Sequence, residues 1–338
     1  MTRLSSVFTL LLAVACGAGP TASRWKLTER LNDPVLEREI LRALDAAAEA
    51  GTYPPLSKFQ VRAATVVDDQ VVVGGNTEYH VPEAIHGESS LVNHVISLFG
   101  PEATREKVRF IAYYAERCGD SLSCGDCRDY QIATLDVERL LAICGEASTG
   151  QVHVRRFRNA LVSEERFTEV AAPAIPLAPE VLDRLVAEAT RAREGGVDLF
   201  TSSEHHAGAA AISYTGAVYR AAGVDDSAFH YRYPIGGLLQ QAATEKDYFL
   251  EAIVVVGEKG AWPRVSYRDR QYGYEFSSFN VKTGRPPIRL VLTDGSGHFR
   301  LTTFEEALPH AFSANSFMPE RVDEFLAEAS GLLQRPPR

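Results

Sequence analysis

Apolar positions recur along this chain at two periods, and the switches between them lay out its elements. From Asp33 to Gly51, residues Val35, Leu36, Ile40, Leu41 and Leu44 recur at three- and four-residue spacing. That spacing predicts an amphipathic helix stopped at Gly51. Tyr53-Pro54-Pro55 is a turn that cannot continue it. Phe59 to Ala64 and Val71 to Val73 read as two strands joined at Asp68-Asp69, a hairpin signal. Gly74-Gly75 then lets the backbone turn tightly into Asn76-Thr77-Glu78. A second helix starts at His86, carries Leu91, Val92, Val95, Ile96 and Leu98 on its apolar face, and ends at Gly100-Pro101. Val108 to Ala115 reads as a buried strand, and Cys124 to Leu141 as a third helix. The order helix, two strands, helix, strand, helix predicts an α/β fold, a three-layer α/β/α sandwich.

Val152 to Phe167 is expected to add to the sheet, and Pro173, Pro176 and Pro179 mark a linker. A new helix is predicted from Pro179 to Glu194 on Val181, Leu182, Leu185 and Val186. After it the chain repeats itself. Ser203 to Ala210 lines up on Ser57 to Ala64, Ile235 to Leu239 on His86 to Ser90, and Arg268 to Gln271 on Arg128 to Gln131. Ala252 to Gly257 repeats the buried strand. The reading is two tandem copies of one domain, at 33–170 and 179–315, followed by a C-terminal helix and tail at 316–338. The second copy lacks the His, the Glu and both Cys of the first.

Hydrophobic residues make up 45% of the 338 and charged residues 23%, as in ordinary globular proteins. A net charge of −9 provides no global positive field for phosphates, so nucleic acid is not an expected partner. Arg155-Arg156-Phe157-Arg158 is the one obvious basic cluster. It reads as a solvated strand end. Arg3, the apolar run Leu4 to Ala15 and the small residues that follow form a leader over 1–24. Cys16 after Ala13-Val14-Ala15 resembles a bacterial lipoprotein acylation site, which would place the protein outside the cytoplasm or on a membrane through that anchor. The alternative is a buried first helix of a cytoplasmic enzyme.

The chemistry concentrates between Asn76 and Cys127. His86, Cys124 and Cys127 offer one imidazole and two thiolates, which hold Zn²⁺ with one position left open. Glu88 lies too close to His86 in sequence to be a comfortable fourth ligand, and is placed to move protons. The competing reading is a closed zinc knuckle completed by Cys118 or Glu88. Among the five cysteines, Cys118 and Cys144 remain as a pair for an oxidising compartment. His205-His206 falls in the repeat rather than in a second metal site.

These residues resemble the zinc-dependent cytidine deaminases, and within them the tandem-domain class with a degenerate second domain that forms a homodimer. The H-x-E…C-x-x-C order carries the resemblance. It is motif-specific over 53–131 and follows the family plan over about 33–315. It implies one Zn²⁺ per chain on His86, Cys124 and Cys127, with Glu88 as proton shuttle. It implies a free pyrimidine nucleoside as substrate, contacted by Phe59, Asn76, Glu78, Gly87 and Phe312. Asn76 and Glu78 match the pair that bonds the ribose hydroxyls, and Phe312 matches an aromatic that closes an active site across a domain or subunit interface. Arg62 stands where Gly is usual, Ser123 where Pro is usual and Gly87 where Ala is usual. Two other readings remain: a deaminase of single-stranded nucleic acid or of a modified pyrimidine nucleoside, and a zinc-stabilised binding protein without turnover.

Overall fold

The computed structural model describes residues 24–78, 84–118, 122–197, 206–225 and 231–333. Cys16, almost all of the leader, and Ser203 to His205 lie outside the described residues. In chain order the first part contains β1 (Lys26–Leu27), α1 (Pro34–Glu49), β2 (Arg62–Val67), β3 (Gln70–Gly75), α2 (Gly87–Phe99), α3 (Pro101–Lys107), β4 (Phe110–Ala115), α4 (Gly125–Thr134), β5 (Leu141–Glu146) and β6 (Gln151–Arg156). The second contains β7 (Thr168–Val170), α5 (Pro179–Glu194), β8 (Gly208–Ser213), β9 (Val218–Ala222), α6 (Pro234–Thr244), β10 (Leu250–Val256), α7 (Tyr267–Lys282), β11 (Arg289–Thr293), β12 (Phe299–Thr303), α8 (Phe304–Ala307), α9 (Ala314–Phe317) and α10 (Pro319–Leu333). Two-residue strand pairs and single 3₁₀ turns fill the connections.

The first helix forms where its cap chemistry and apolar stripe agree. The Asp33 carboxylate accepts from Val35 N and Leu36 N, and Pro34 takes the first helical position, where no N–H is needed. Ile40, Ala43, Leu44 and Ala47 face one side of a six-stranded sheet. Side chains of β4 alternate: Phe110 and Ala112 meet α1, whereas Ile111 and Tyr113 join Leu91, Val92 and Val95 of α2 on the other face. Helices therefore cover both faces in three layers. Each fully buried Leu, Ile or Phe contributes roughly 1.5–3 kcal/mol to that packing.

The sheet runs β3-β2-β4-β5-β6-β1, and a second sheet runs β9-β8-β10-β11-β12-β7. Directions agree along the first four pairings of each: antiparallel, antiparallel, parallel, antiparallel. They part at the edge, where β1 is parallel to β6 and β7 antiparallel to β12. Thr168 to Val170 thus precede the linker in sequence yet pair with the second sheet. Helix α5 covers one face of that sheet through Leu182, Leu185 and Ala189, and α6 the other through Ile235, Leu238, Leu239 and Ala242.

Several sequence expectations need correction: Gly74 and Gly75 continue β3 rather than turn, and Leu98 is exposed rather than packed with the rest of its helix face. The third helix stops at Thr134, because Leu135 is already extended and Leu140 turns back into the core; Leu141 opens β5. Sheet from Val152 onward ends at Arg156, and 3₁₀ turns occupy Phe157–Ala160 and Glu164–Arg166. The helix starts of the second half lie two residues away from the expected alignment. Tyr233 caps α6 as His86 caps α2, and Ser266 caps α7 as Cys124 caps α4. By position at a helix start, Tyr233 rather than Ile235 stands as His86 does, and Arg270 rather than Arg268 as Arg128 does. The guanidinium geometry agrees: Arg128 Nε donates to Ser123 O, and Arg270 Nε to Val265 O, five residues back in each case.

The two halves meet where α4 and α7 start. A Cβ on Gly125 would lie 2.0 Å from Tyr267 O, so only glycine permits this approach. The Asp129 carboxylate accepts from Tyr267 N at 3.0 Å and Arg268 N at 2.9 Å, satisfying first-turn donors of the facing helix.

Candidate zinc centre

His86 is the N-cap of α2, Cys124 the N-cap of α4, and Cys127 lies in the first turn of α4. Both helix starts turn their positive dipole ends toward this point, which favours thiolates there. His86 Nδ1 is 3.0 Å from Cys124 Sγ and 3.3 Å from Cys127 Sγ. The three donor atoms all lie within 4.8 Å of one another, the one such cluster among the described residues. Tetrahedral zinc at ordinary Zn–N and Zn–S bond lengths sets N···S at about 3.5 Å. Both N···S distances come within about 0.5 Å of that value. The set fits.

The three donor groups shift one another's affinity for protons. The bond to Cys124 raises His86 to about 9, against the effect of burial. Donation from Cys127, then from His86, holds the Cys124 thiol well below its ordinary value, and the same contact pushes Cys127 up. A metal needs both thiolates and a neutral imidazole, so binding releases these protons. Ser89 Oγ lies 3.8 Å from Cys127 Sγ and supports it from behind.

Glu88 sits in the first turn of α2 and is only 7% exposed. Burial pushes its carboxyl up; the Cys124 thiolate adds to this and His86 opposes it. The adjacent Gly87 packs so closely on the first loop that a Cβ would meet Val61 O at 2.8 Å. Alanine at that position would move the loop that carries Phe59.

Asn76 and Glu78 anchor the same loop. Asn76 accepts from Val61 N at 3.0 Å and donates to Phe59 O at 2.8 Å. The Glu78 carboxylate accepts from Leu56 N, Ser57 N and the Ser57 hydroxyl. His86, Glu88, Cys124, Asn76, Glu78, Gly87 and Phe59 line one cavity of about 970 Å³, with Cys127 buried behind it. Phe312 closes the cavity from the second half of the same chain. Its ring centroid is 5.6 Å from that of Phe59.

Cys118 is not a fourth ligand. It is bonded to Cys144 across a Cα–Cα distance of 5.8 Å, and the pair lies in the cavity wall. The unusual residues have work of their own. Ser123 Oγ joins Tyr113 OH at 2.8 Å and Gln131 in a buried chain. Arg62 donates to Ala48 O and to Gln60 Oε1 of the first loop, and lies over the Tyr114 ring.

Sequence reasoning missed Arg128. Fully buried, it donates to Ser123 O, Ala160 O, Pro309 O and His310 O, fastening α4 to the segment that bears Phe312. Its place directly after Cys127 was the available signal.

No protein-family model and no curated protein matches this chain. Among solved structures, it is similar to a cytidine deaminase from Burkholderia pseudomallei at 25% identity, covering 38% of this chain and 98% of that one, with a TM-score of 0.33. A cytidine deaminase from Mycobacterium tuberculosis is 28% identical over 38% and 95%, with a TM-score of 0.28. One from Mycobacterium leprae is 20% identical over 39% and 100%, also at 0.28.

Proposed function

We propose that this chain is a zinc-dependent hydrolase that converts cytidine or 2′-deoxycytidine and water to uridine or 2′-deoxyuridine and ammonia. The observation that carries the reading is the buried Glu88 carboxyl in one cavity with His86 and Cys124, whose donor set Cys127 completes from behind the wall. His86, Cys124 and Cys127 would hold Zn²⁺, which lowers the pKa of water from 15.7 to about 7. Glu88 takes the proton that water gives up on attacking C4 of the pyrimidine, and passes it to ring N3. Glu88 then takes the remaining proton from the C4 hydroxyl and delivers it to the amino group, so that the C4–N bond breaks, ammonia leaves and the C4 carbonyl forms. Its raised affinity for a proton suits a group that must hold one between these transfers. Phe59 and Phe312 bound the space for the ring and keep water from it.

The second sheet is read as a degenerate copy. Tyr233, Ser266 and Asp269 stand at its positions for the three ligands, so one zinc per chain is expected. Asp269 there accepts from Ile235 N and Gly236 N, tying α7 to α6 by a carboxylate where the first half offers metal ligands. Assembly as a homodimer and export through the leader belong to the same proposal. Ammonia release from cytidine or deoxycytidine by zinc-loaded protein tests the activity, and its absence with both would overturn it.

Asn76→Ala and Glu78→Ala are expected to raise the KM for cytidine more than that for free cytosine. Each removes a partner of the ribose and of the first loop, at roughly 1–3 kcal/mol per unpaired group. Equal losses on both substrates would limit Asn76 and Glu78 to holding the loop.

A further inference from the structure

The segment from Pro309 to Ala314 is pinned at two ends, and Phe312 lies between the pins. At the first end His310 adopts φ 55°, a left-handed conformation rare for residues other than glycine. Its carbonyl accepts from Arg128 and from Leu122 N, which holds that conformation in place. The second end is held by α7. Gln271 Nε2 donates to Phe312 O at 2.5 Å and to Glu275 Oε1 at 3.0 Å. Ala314 N donates to the Glu275 carboxylate at 3.3 and 3.4 Å to its two oxygens. Gln271 and Glu275 are one helical turn apart, so a single face of α7 meets the strap.

Glu275 is an expensive residue for this place. Burial pushes its carboxyl up to about 7, opposed only by the Ala314 N–H and Gln271. Surface carboxylates carry no such penalty, and perturbed groups of this kind gather at functional sites.

We propose that Glu275 is a positioning residue for the candidate site, holding Phe312 over Phe59 through Gln271 and Ala314 N–H. The proposal rests on the deaminase reading and adds that substrate retention depends on a carboxylate from the second half. Glu275 touches no reacting atom. It sets where the Phe312 ring stands, and with it how much of the substrate is enclosed.

The test is steady-state kinetics on zinc-loaded Glu275→Ala and Gln271→Ala, with zinc content and thermal midpoint measured alongside. The KM for cytidine is expected to rise about tenfold in Glu275→Ala, the scale of one or two lost hydrogen bonds, with kcat within about twofold. Gln271→Ala removes the bond to Phe312 while leaving the carboxylate, and is expected to act in the same direction. It decides the matter if Glu275→Ala does not fold. Unchanged KM in the folded variants, or a fall in kcat at constant KM, would overturn the proposal. Wild-type protein without turnover would instead overturn the deaminase reading, and this proposal with it.

Discussion

Glu88→Gln is expected to keep the fold and the zinc while lowering kcat about 10²–10⁴-fold, the scale of lost general acid–base catalysis. The amide matches the carboxyl in size, so a side chain with 7% exposure keeps its packing. What it loses is the ability to take a proton from water and return it to the pyrimidine. His86, Cys124 and Cys127 form the donor cluster without Glu88, so metal content is expected to stay at the wild-type level. Kinetics and metal analysis on one preparation check both halves. Loss of the metal in the variant would make Glu88 a ligand and return the site to a closed zinc knuckle.

Arg128→Ala carries the largest expected loss of stability. The guanidinium is fully buried and its hydrogen bonds reach four carbonyls in three separate segments. Burial draws its pKa down to about 10, so the charge is held at a cost that the carbonyls offset. Truncation removes the donors of Ser123 O, Ala160 O and Pro309 O at about 1–3 kcal/mol each, whereas His310 O keeps Leu122 N. A loss of roughly 4 kcal/mol or more is expected, a large share of the 5–15 kcal/mol that holds a typical protein together. Arg128→Lys supplies one point donor in place of a planar fork and is expected to recover only part of it. Chemical denaturation measures this directly. A loss below about 1 kcal/mol would show that the strap is held without Arg128.

The sequence reveals what is decided locally. Helix α5 was legible to its ends, because Pro179 fits the first turn and Gly195 follows Glu194. His86, Glu88, Cys124 and Cys127 were legible because helix starts fix their spacing, and the structure brings all four to one place. Long-range partners left no such trace. Arg128 reaches Pro309 across 181 positions, and nothing in either stretch names the other. The pairing of Cys118 with Cys144 was an arithmetic remainder until β4 and β5 lay side by side. The expected alignment of the two halves missed the helix starts by two residues because apolar helix faces tolerate sliding, whereas cap positions do not. The end of α4 was overrun for a related reason: Leu140 and Leu141 satisfy a helical stripe as readily as the core and strand they enter.

Protein carrying one zinc per chain, mixed with free cytidine and followed by ultraviolet absorbance, tests the central claim most directly. The cytosine absorbance is expected to decline to that of uridine, to stop declining when a chelator removes the metal, and to resume when zinc is restored. Unchanged absorbance with fully zinc-loaded, folded protein would contradict the claim and leave His86, Cys124 and Cys127 as a structural site.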